Sequence, residues 1–451
     1  MGNGMKMMRF PGSGVTDADR GNIVRGTLNS FLIQGLSIVL VFLSGIWIVR
    51  SSDPTAYGLY VHVFNWVSIL SVVVMGGRDD LVLAQLPKYI GSRQGWKVRR
   101  LVLAANKFLV VAAVGVTVLF LSLIYIFPIR TLSEHRQLFL LASAAVYFSA
   151  CLALNQMILQ ALNHIRTSQL VEKIGRPLLL IFFVTVFRLL ARPAVLDSNR
   201  LVLVATAVTG VCGFFVLYLV FQKIKKHGQP APQELPDEEL SGKAAWFFII
   251  SLLTLLATKI TMLILPWFAP ESSIGIFNIC YRFADLLIFP FFLMHTVLPQ
   301  LFARHTATGT AYTQSIFSES NKLMTLLSIP LLLLNIVAGR FFLHWFGPAF
   351  ETGYTAMLYI SLAQFLFSFF GPANTILMMQ DREKYSAVCL LAYLVVMVVA
   401  SRLLIPVAGI TGGALAILIS SLVYNLLLAI VTWRLCGIRS PFFAFLVKAR
   451  G

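Results

Sequence analysis

The sequence contains few charged residues for its length. Charged residues make up 12% of the chain, against about 25% in soluble domains, whereas 58% of the residues are hydrophobic. The apolar residues fall in repeated runs of about 20, the length of a membrane-spanning helix, and not in the alternating ten-residue pattern of an outer-membrane barrel. The scarcity of charge excludes a soluble globular protein and predicts an all-α integral membrane protein.

The sequence also contains few patterns typical of catalytic or metal-binding sites. The five cysteines are scattered without a CxxC pair or a metal-ligand spacing, so we interpret them as small buried hydrophobic residues. No Gly-rich phosphate loop, nucleophile motif or outer loop with paired carboxylates occurs. Asp79–Asp80 is an adjacent acidic pair near a membrane face, but neighbouring helical side chains diverge by about 100° and suit a metal poorly. These absences disfavour a membrane enzyme, and we expect no cofactor and no metal.

The apolar runs predict about twelve transmembrane helices. A polar, Pro-rich connection at 222–243 separates six of them from the other six and is typical of a linker. We therefore expect a tail (1–26), a six-helix lobe (27–222), a linker (223–243), a second six-helix lobe (244–434) and a second tail (435–451). The predicted spans are 27–49, 60–80, 102–127, 137–160, 176–195, 201–222, 244–268, 272–303, 322–345, 354–379, 386–406 and 409–434.

The basic residues predict the orientation. The net charge is +18, and 24 of the 36 Lys and Arg residues fall in alternate connections on the same side as both termini, whereas 8 fall on the other side. The positive-inside rule then places both ends in the cytoplasm. Because topology accounts for most of the basic excess, we expect no nucleic-acid partner.

A weak internal repeat links the two halves. Asp53–Tyr60 after the first span and Ala269–Phe277 after the seventh span both contain a Pro-bearing acidic turn and then a glycine, and Gly58 and Gly275 align at an offset of 217. Each half holds an even number of spans, so both run in the same direction. The repeat predicts a pseudo-two-fold axis along the membrane normal and a cavity between the lobes.

Charges are embedded in the seventh and eighth spans, where lipid should exclude them. Lys259 lies in the seventh span, and Asn278, Arg282 and Asp285 follow an i, i+4, i+7 spacing that puts them on one face of the eighth. Embedded charges usually face an interior cavity. Two interpretations stay open: a structural Arg282–Asp285 pair with Lys259 reaching for an interface, or a cationic lumen through which cargo moves.

A second set of candidates lies in the first half. Structural alternatives stay open for most of them. These are topology charge for Arg25, a helix–helix hydrogen bond for Asn65, and a solvated rim for the cluster at the end of span two, which could otherwise form a gate. The possible cargo contacts are Arg25, Asn29 and Asn65, and the possible gate residues are Arg78, Asp79 and Asp80.

Three segments resemble motifs of polysaccharide-export flippases. Asp53–Tyr60 resembles a G-P-x-x-Y/F-G-x-Y turn, although Asp53 stands where the family often has Gly. Ser273–Ala284 resembles a G-x-Y/F-N-x-A-x-R/K pattern, and Ala408–Ala416 resembles the G-I-x-G-A-A-x-A start of the last span. The sequence is therefore similar to the O-antigen/polysaccharide (Wzx-like) flippases of the multidrug/oligosaccharidyl-lipid/polysaccharide exporter superfamily.

The resemblance implies transport of a polyprenyl-pyrophosphate-linked oligosaccharide to the outer leaflet of the cytoplasmic membrane by alternating access. Membrane lipids would be partners, and a polysaccharide polymerase and glycosyltransferases are further candidate partners. Arg282 suits a phosphate because its guanidinium can bind two oxygens. Lys259 would add a second charge, and Asp285 would hold Arg282 extended when the cavity is empty.

Three other functions remain possible. A drug/cation antiporter of the same superfamily would need a carboxylate deep in the first lobe, but Thr27–Val49 contains no Asp or Glu. A membrane enzyme of polysaccharide assembly would need an acidic outer loop, and the outer connections are short. A purely structural membrane scaffold is the third.

Overall fold

The computed structural model describes residues 35–92, 94–126, 134–191, 196–225, 238–291, 310–380 and 382–440, which are almost entirely helical and include no strand. Among these residues a π turn, Val171–Gly175, separates the helices Ile165–Leu170 and Arg176–Ala191. The helices are α1 (Gly35–Ser51), α2 (Pro54–Met75), α3 (Arg78–Gly91), α4 (Gly95–Ile126), α5 (Arg136–Ala161), α6 (Ile165–Leu170), α7 (Arg176–Ala191), α8 (Ser198–Ile224), α9 (Glu238–Ile264), α10 (Glu271–Ala284), α11 (Thr310–His344), α12 (Tyr354–Phe370), α13 (Ala373–Met379) and α14 (Glu383–Cys436).

The twelve predicted spans all have a helical counterpart among the described residues. Nine helices there are long and apolar enough to cross a membrane. One of the nine, within α14, bends at Gly409 and holds the last two spans. The shorter helices α1 and α7 match the first and fifth spans. The prediction of an all-α membrane protein built of two six-helix lobes is confirmed. The exact lobe and linker boundaries stay a prediction.

The second predicted span is too long at its inner end. The predicted span ends at residue 80, whereas α2 ends at Met75. A turn of two glycines follows, with φ of 55° at Gly76 and 72° at Gly77. Arg78 begins a separate helix, α3. The hydropathy continues across the turn, whereas the backbone conformation of the two glycines stops the helix.

The eighth predicted span, 272–303, departs from α-helical winding within its bounds. Asp285–Ile288, just before Pro290, forms a 3₁₀ turn. Pro290 has no N–H for the carbonyl of Leu286 and its ring crowds that carbonyl. Tightening the preceding turn relieves both problems. Residues 292–309, the remainder of the predicted span, lie outside the described residues.

The repeated turns of the two halves pack directly against each other. A Cβ placed on Gly58 of α2 would lie 1.9 Å from the carbonyl oxygen of Glu271, and one on Gly275 of α10 would lie 3.3 Å from the carbonyl oxygen of Pro54. At the offset of 217, Pro54 matches Glu271 and Gly58 matches Gly275. The contacts are thus reciprocal, as at the axis of a two-fold dimer. The α2–α10 pair marks the predicted pseudo-two-fold axis.

A second reciprocal pair lies deeper between the halves. A Cβ on Gly45 of α1 would lie 3.0 Å from Nη1 of Arg282 on α10. In the matching position, Nδ2 of Asn65 on α2 lies 3.5 Å from Sδ of Met262 on α9. Because Gly45 matches Met262 and Asn65 matches Arg282, the first helix of each half packs on the second helix of the other.

Arg188 and Arg402 are two of the eight basic residues predicted for the outer side, and each lies beside a tryptophan. The guanidinium of Arg188 lies over the ring of Trp47 at 6.0 Å, and that of Arg402 over Trp267 at 5.4 Å. Such aromatic and cationic belts form at membrane surfaces. The pairing agrees with the predicted layout, while the side of the membrane on which this belt lies stays a prediction.

Replacing Gly58 tests the close contact at the pseudo-two-fold axis. Gly58→Ala should lower the stability of the protein in detergent by about 1–3 kcal/mol or more, because its Cβ would overlap the Glu271 carbonyl. Thermal unfolding of the purified full-length protein measures this. Gly115→Ala is the matched control, since that position has open space around it. Equal unfolding midpoints for the two variants would contradict the contact.

Candidate functional site

Arg282 lies at the boundary between the two halves. It is in the last turn of α10, half-buried, with its guanidinium against Gly45 of α1. The next residue, Phe283, packs on Phe42 of α1 with ring centroids 4.7 Å apart. The aromatic contact fixes the end of α10, and the small Gly45 leaves room for the guanidinium.

Asp285 is exposed on the second half of the described structure. It begins the 3₁₀ turn after α10, and its Oδ1 accepts a hydrogen bond from Nε2 of Gln364 on α12 at 3.0 Å. The hydrogen bond fixes the carboxylate, and the exposure leaves part of its surface free for contact with a ligand.

Lys259 completes a group of three charges. It is half-buried on α9, and its charge and that of Arg282 both act on the Asp285 carboxylate. Within the part of the chain that the structure describes, no N–O distance within 4.0 Å joins Asp285 to either cation. The direct Arg282–Asp285 pair considered above is therefore absent here, and the group keeps a net positive charge.

Two of the three predicted amide residues, Asn65 and Asn278, lie in buried helix–helix contacts. Asn278 accepts a hydrogen bond from Oη of Tyr57 on α2 at 3.1 Å, and its Nδ2 lies 3.8 Å from Sδ of Met262. Asn65 contacts the same sulfur. Both side chains are less than 10% exposed. The position of Asn65 matches the helix–helix contact that the sequence left open as its alternative. Asn278 is buried, so it does not share the exposed surface of Asp285.

The predicted gate cluster lies at the start of α3 and contacts the second half. Ser251 of α9 donates from Oγ to Oδ2 of Asp80 at 2.8 Å. The guanidinium of Arg78 stacks on the ring of Phe108 at 3.1 Å. Burial, and secondarily the charge of Asp80, raise the pKa of Asp79, whose buried Oδ1 has no partner among the described residues. Asp80 thus bridges the halves, whereas Asp79 carries an unpaired buried oxygen.

Two predicted site residues remain, Arg25 and Asn29, and the structure adds Gln364 and Gly45 to the site. Arg25 and Asn29 lie outside the described residues, so their placement stays a prediction. Sequence reasoning missed Gln364, although a glutamine in an apolar span carries the same signal that identified Asn278. Gly45 gave no signal, because its importance is the absence of a side chain beside Arg282.

The family comparison covers more than half of the chain. Residues 23–304 match the model of the family described as polysaccharide biosynthesis protein. The chain belongs to this family. The match contains α1 to α10 and therefore includes Lys259, Arg282 and Asp285. No curated protein gives a significant sequence match.

Several solved structures share the fold of this chain. It superposes on an inward-facing multidrug resistance MATE family transporter of the MOP superfamily with a TM-score of 0.71 and 14% identity, over 89% of this chain and 94% of that one. For the lipid II flippase MurJ in an inward closed conformation the values are 0.67, 11%, 89% and 86%. For a MOP superfamily transporter from Pyrococcus furiosus they are 0.65, 14%, 91% and 94%. The predicted resemblance to a polysaccharide-export family is confirmed by the family match. The likeness to these structures, at 11% to 14% identity, shows the shared fold alone.

Removing the charge of Asp79 should change how stability depends on pH. A raised pKa means that the folded protein binds a proton more tightly than the unfolded chain, so stability falls as pH rises through that window. Asp79→Asn should therefore gain stability relative to the parent as the pH rises above about 4, the ordinary pKa of an aspartate. Unfolding midpoints across this range test it, with Asp79→Glu as the control that keeps a titrating carboxyl. A pH-independent difference for Asp79→Asn would refute the assignment.

The Gln364–Asp285 hydrogen bond should appear as coupling between the two positions. Gln364→Ala should destabilise the parent by about 1–3 kcal/mol, because it removes a hydrogen bond to a charged acceptor. The same change in an Asp285→Ala background should cost about 1 kcal/mol less. Unfolding of the four proteins in a double-mutant cycle measures this. Thr254→Ala, on another helix with its hydroxyl bonded to its own backbone, is the reference for no coupling with Asp285. Additive effects of Gln364→Ala and Asp285→Ala would contradict the bond.

Proposed function

We propose that this protein flips a polyprenyl-pyrophosphate-linked oligosaccharide from the inner to the outer leaflet of the cytoplasmic membrane. Membership of the polysaccharide biosynthesis protein family supports a role in polysaccharide assembly. The fold shared with a lipid II flippase supports a lipid-linked cargo. The product would be a surface polysaccharide such as O-antigen or exopolysaccharide, and a polymerase and glycosyltransferases would act on the same pathway.

One observation carries the proposal. Arg282 is half-buried at the boundary between the two halves, Lys259 is half-buried on α9, and neither forms an ion pair within the described residues. The charges of both act on the exposed Asp285. Cations in that setting are costly unless an anion joins them. A pyrophosphate supplies that anion, with Arg282 binding two oxygens and Lys259 acting as a point charge. Asp285 is held by Gln364 and can exchange its electrostatic partner for the cargo.

The contacts between the halves support alternating access. Near one end, α2 and α10 pack backbone to backbone at Gly58 and Gly275. Toward the other end, Asp80 and Ser251 join α3 to α9. A large head group can pass only if these contacts part in turn, so each set would act as a gate. The termini and Lys-rich loops would face the cytoplasm, as the distribution of basic residues predicts.

The membrane potential can drive this step. Moving one elementary charge through 100 mV is worth roughly 2.3 kcal/mol. An inside-negative potential pushes an anionic pyrophosphate outward, and it draws the emptied cationic site back toward the inner face. The hypothesis is that transport is electrogenic. Transport into vesicles that is unchanged when the potential is collapsed would exclude it.

The alternative function is a drug/cation antiporter. The MATE structures share the fold, and Asp285 offers an accessible carboxylate to a cation. Against this, Gln364 already donates to Asp285 and two cations act on it. The first predicted span also contains no acidic residue. The net charge of the group favours an anionic cargo.

Removing both cations should abolish transport. In cells that lack their own flippase, the Arg282→Ala, Lys259→Ala double variant should reduce surface polysaccharide by at least about tenfold, because each lost charge contact to phosphate is worth more than about 1.4 kcal/mol. Polysaccharide is measured on equal amounts of membrane-inserted protein. Arg340→Ala is the matched control, since that arginine lies on the ring of Tyr354 within the second half.

Two results would defeat the proposal. One is normal polysaccharide export by the double variant. The other is efflux of a cationic dye by the parent in reconstituted vesicles, with no translocation of lipid-linked oligosaccharide. The second result would favour the antiporter.

A further inference from the structure

A cluster of three potential metal ligands joins the two halves next to the Gly58–Gly275 contact. Glu134 and His135 precede α5 in the first half, and Glu271 lies in the first turn of α10 in the second half. One ligand atom from each residue lies within 4.8 Å of the others. The backbone of Glu271 also forms the close contact with Gly58, so its position between the halves is fixed.

The separation of the donors suits a tetrahedral ion. Nε2 of His135 and Oε1 of Glu271 are 3.4 Å apart. Two ligands bound at about 2.1 Å with a tetrahedral angle are separated by about 3.4 Å. Glu134 is exposed, and one of its carboxylate oxygens lies within 4.8 Å of the other two ligand atoms. A change of its side-chain rotamer can bring this oxygen to bonding distance of an ion held by His135 and Glu271. One imidazole and two carboxylates form a donor set that Zn²⁺ accepts, with a fourth position for water.

A second histidine beside this cluster strengthens the assignment. His62 of α2 is 3% exposed, and neither of its ring nitrogens has a partner among the described residues. Its ring packs edge-on against Phe139, one helical turn after His135, with centroids 6.0 Å apart. It interacts electrostatically with both His135 and Glu271. An unpaired buried imidazole next to three donors is unusual for a simple surface ion pair.

We propose that Glu134, His135 and Glu271 form a Zn²⁺ site that ties the first half of the protein to the second. The bound ion would hold the α2–α10 end of the interface closed. The site itself is independent of the cargo. Its effect on transport rests on the proposed alternating access, because only then must this end open.

The chain offers a matched control for the site. His344 and Glu351 form a second His–Glu pair, but both residues lie in the second half, in α11 and the turn that follows it. The pair has the same chemistry and does not join the two halves. His344→Ala therefore removes an accessible imidazole without touching the proposed site.

The experiment uses the full-length protein, purified in detergent without a histidine tag and treated with a chelator. Zinc in hundredfold excess over its dissociation constant should raise the unfolding midpoint of the parent and of His344→Ala by a few degrees. His135→Ala and Glu271→Gln should lose most of this rise and should unfold like the parent when zinc is absent. Magnesium should have little effect, because it prefers an octahedral oxygen shell.

Each outcome decides the proposal. No zinc response in the parent would overturn it, as would an equal response in His135→Ala, Glu271→Gln and His344→Ala. Loss of the response in the two site variants alone would establish it. If zinc binds at this site and export continues at the same rate, alternating access at this end is wrong while the zinc site stands.

Discussion

The rest of the structure depends on one close approach between two helices. Gly58 of α2 and Gly275 of α10 let the two backbones meet, since any side chain at Gly58 would overlap the Glu271 carbonyl. Small residues permit such contact where no hydrophobic effect drives helices together in lipid. Because the contact is reciprocal, it fixes where the pseudo-two-fold axis lies. The contacts of Gly45 with Arg282 and of Asn65 with Met262 are related by the same axis.

The functional asymmetry arises on this symmetric frame. The frame packs α1 on α10 and α9 on α2 in equivalent ways. At equivalent positions the first half has Phe42 and Asn65, and the second half has Lys259 and Arg282. One side of the interface is therefore apolar or neutral, and the other is cationic. A single positive site suits a cargo with one anionic group at one end.

The polar contacts divide into buried and accessible ones. Tyr57 and Asn278 satisfy each other inside the interface, where an unpaired polar group would be costly. Asp285 is different, because it accepts a hydrogen bond from Gln364 and is nevertheless exposed. The first kind of contact holds the halves together. The second kind remains available to a ligand.

The sequence by itself determined the twelve spans, the repeat and the family, because hydropathy and turn residues are local properties. It also identified Lys259, Arg282 and Asp285, since charge in a span is visible without a fold. Only the tertiary structure decided that Asn278 and Asn65 are buried, that Gln364 holds Asp285, and that Gly45 faces Arg282. These facts depend on which helices meet. Helix pairing between residues about 220 apart follows from packing around the axis, which one sequence does not encode in any local pattern.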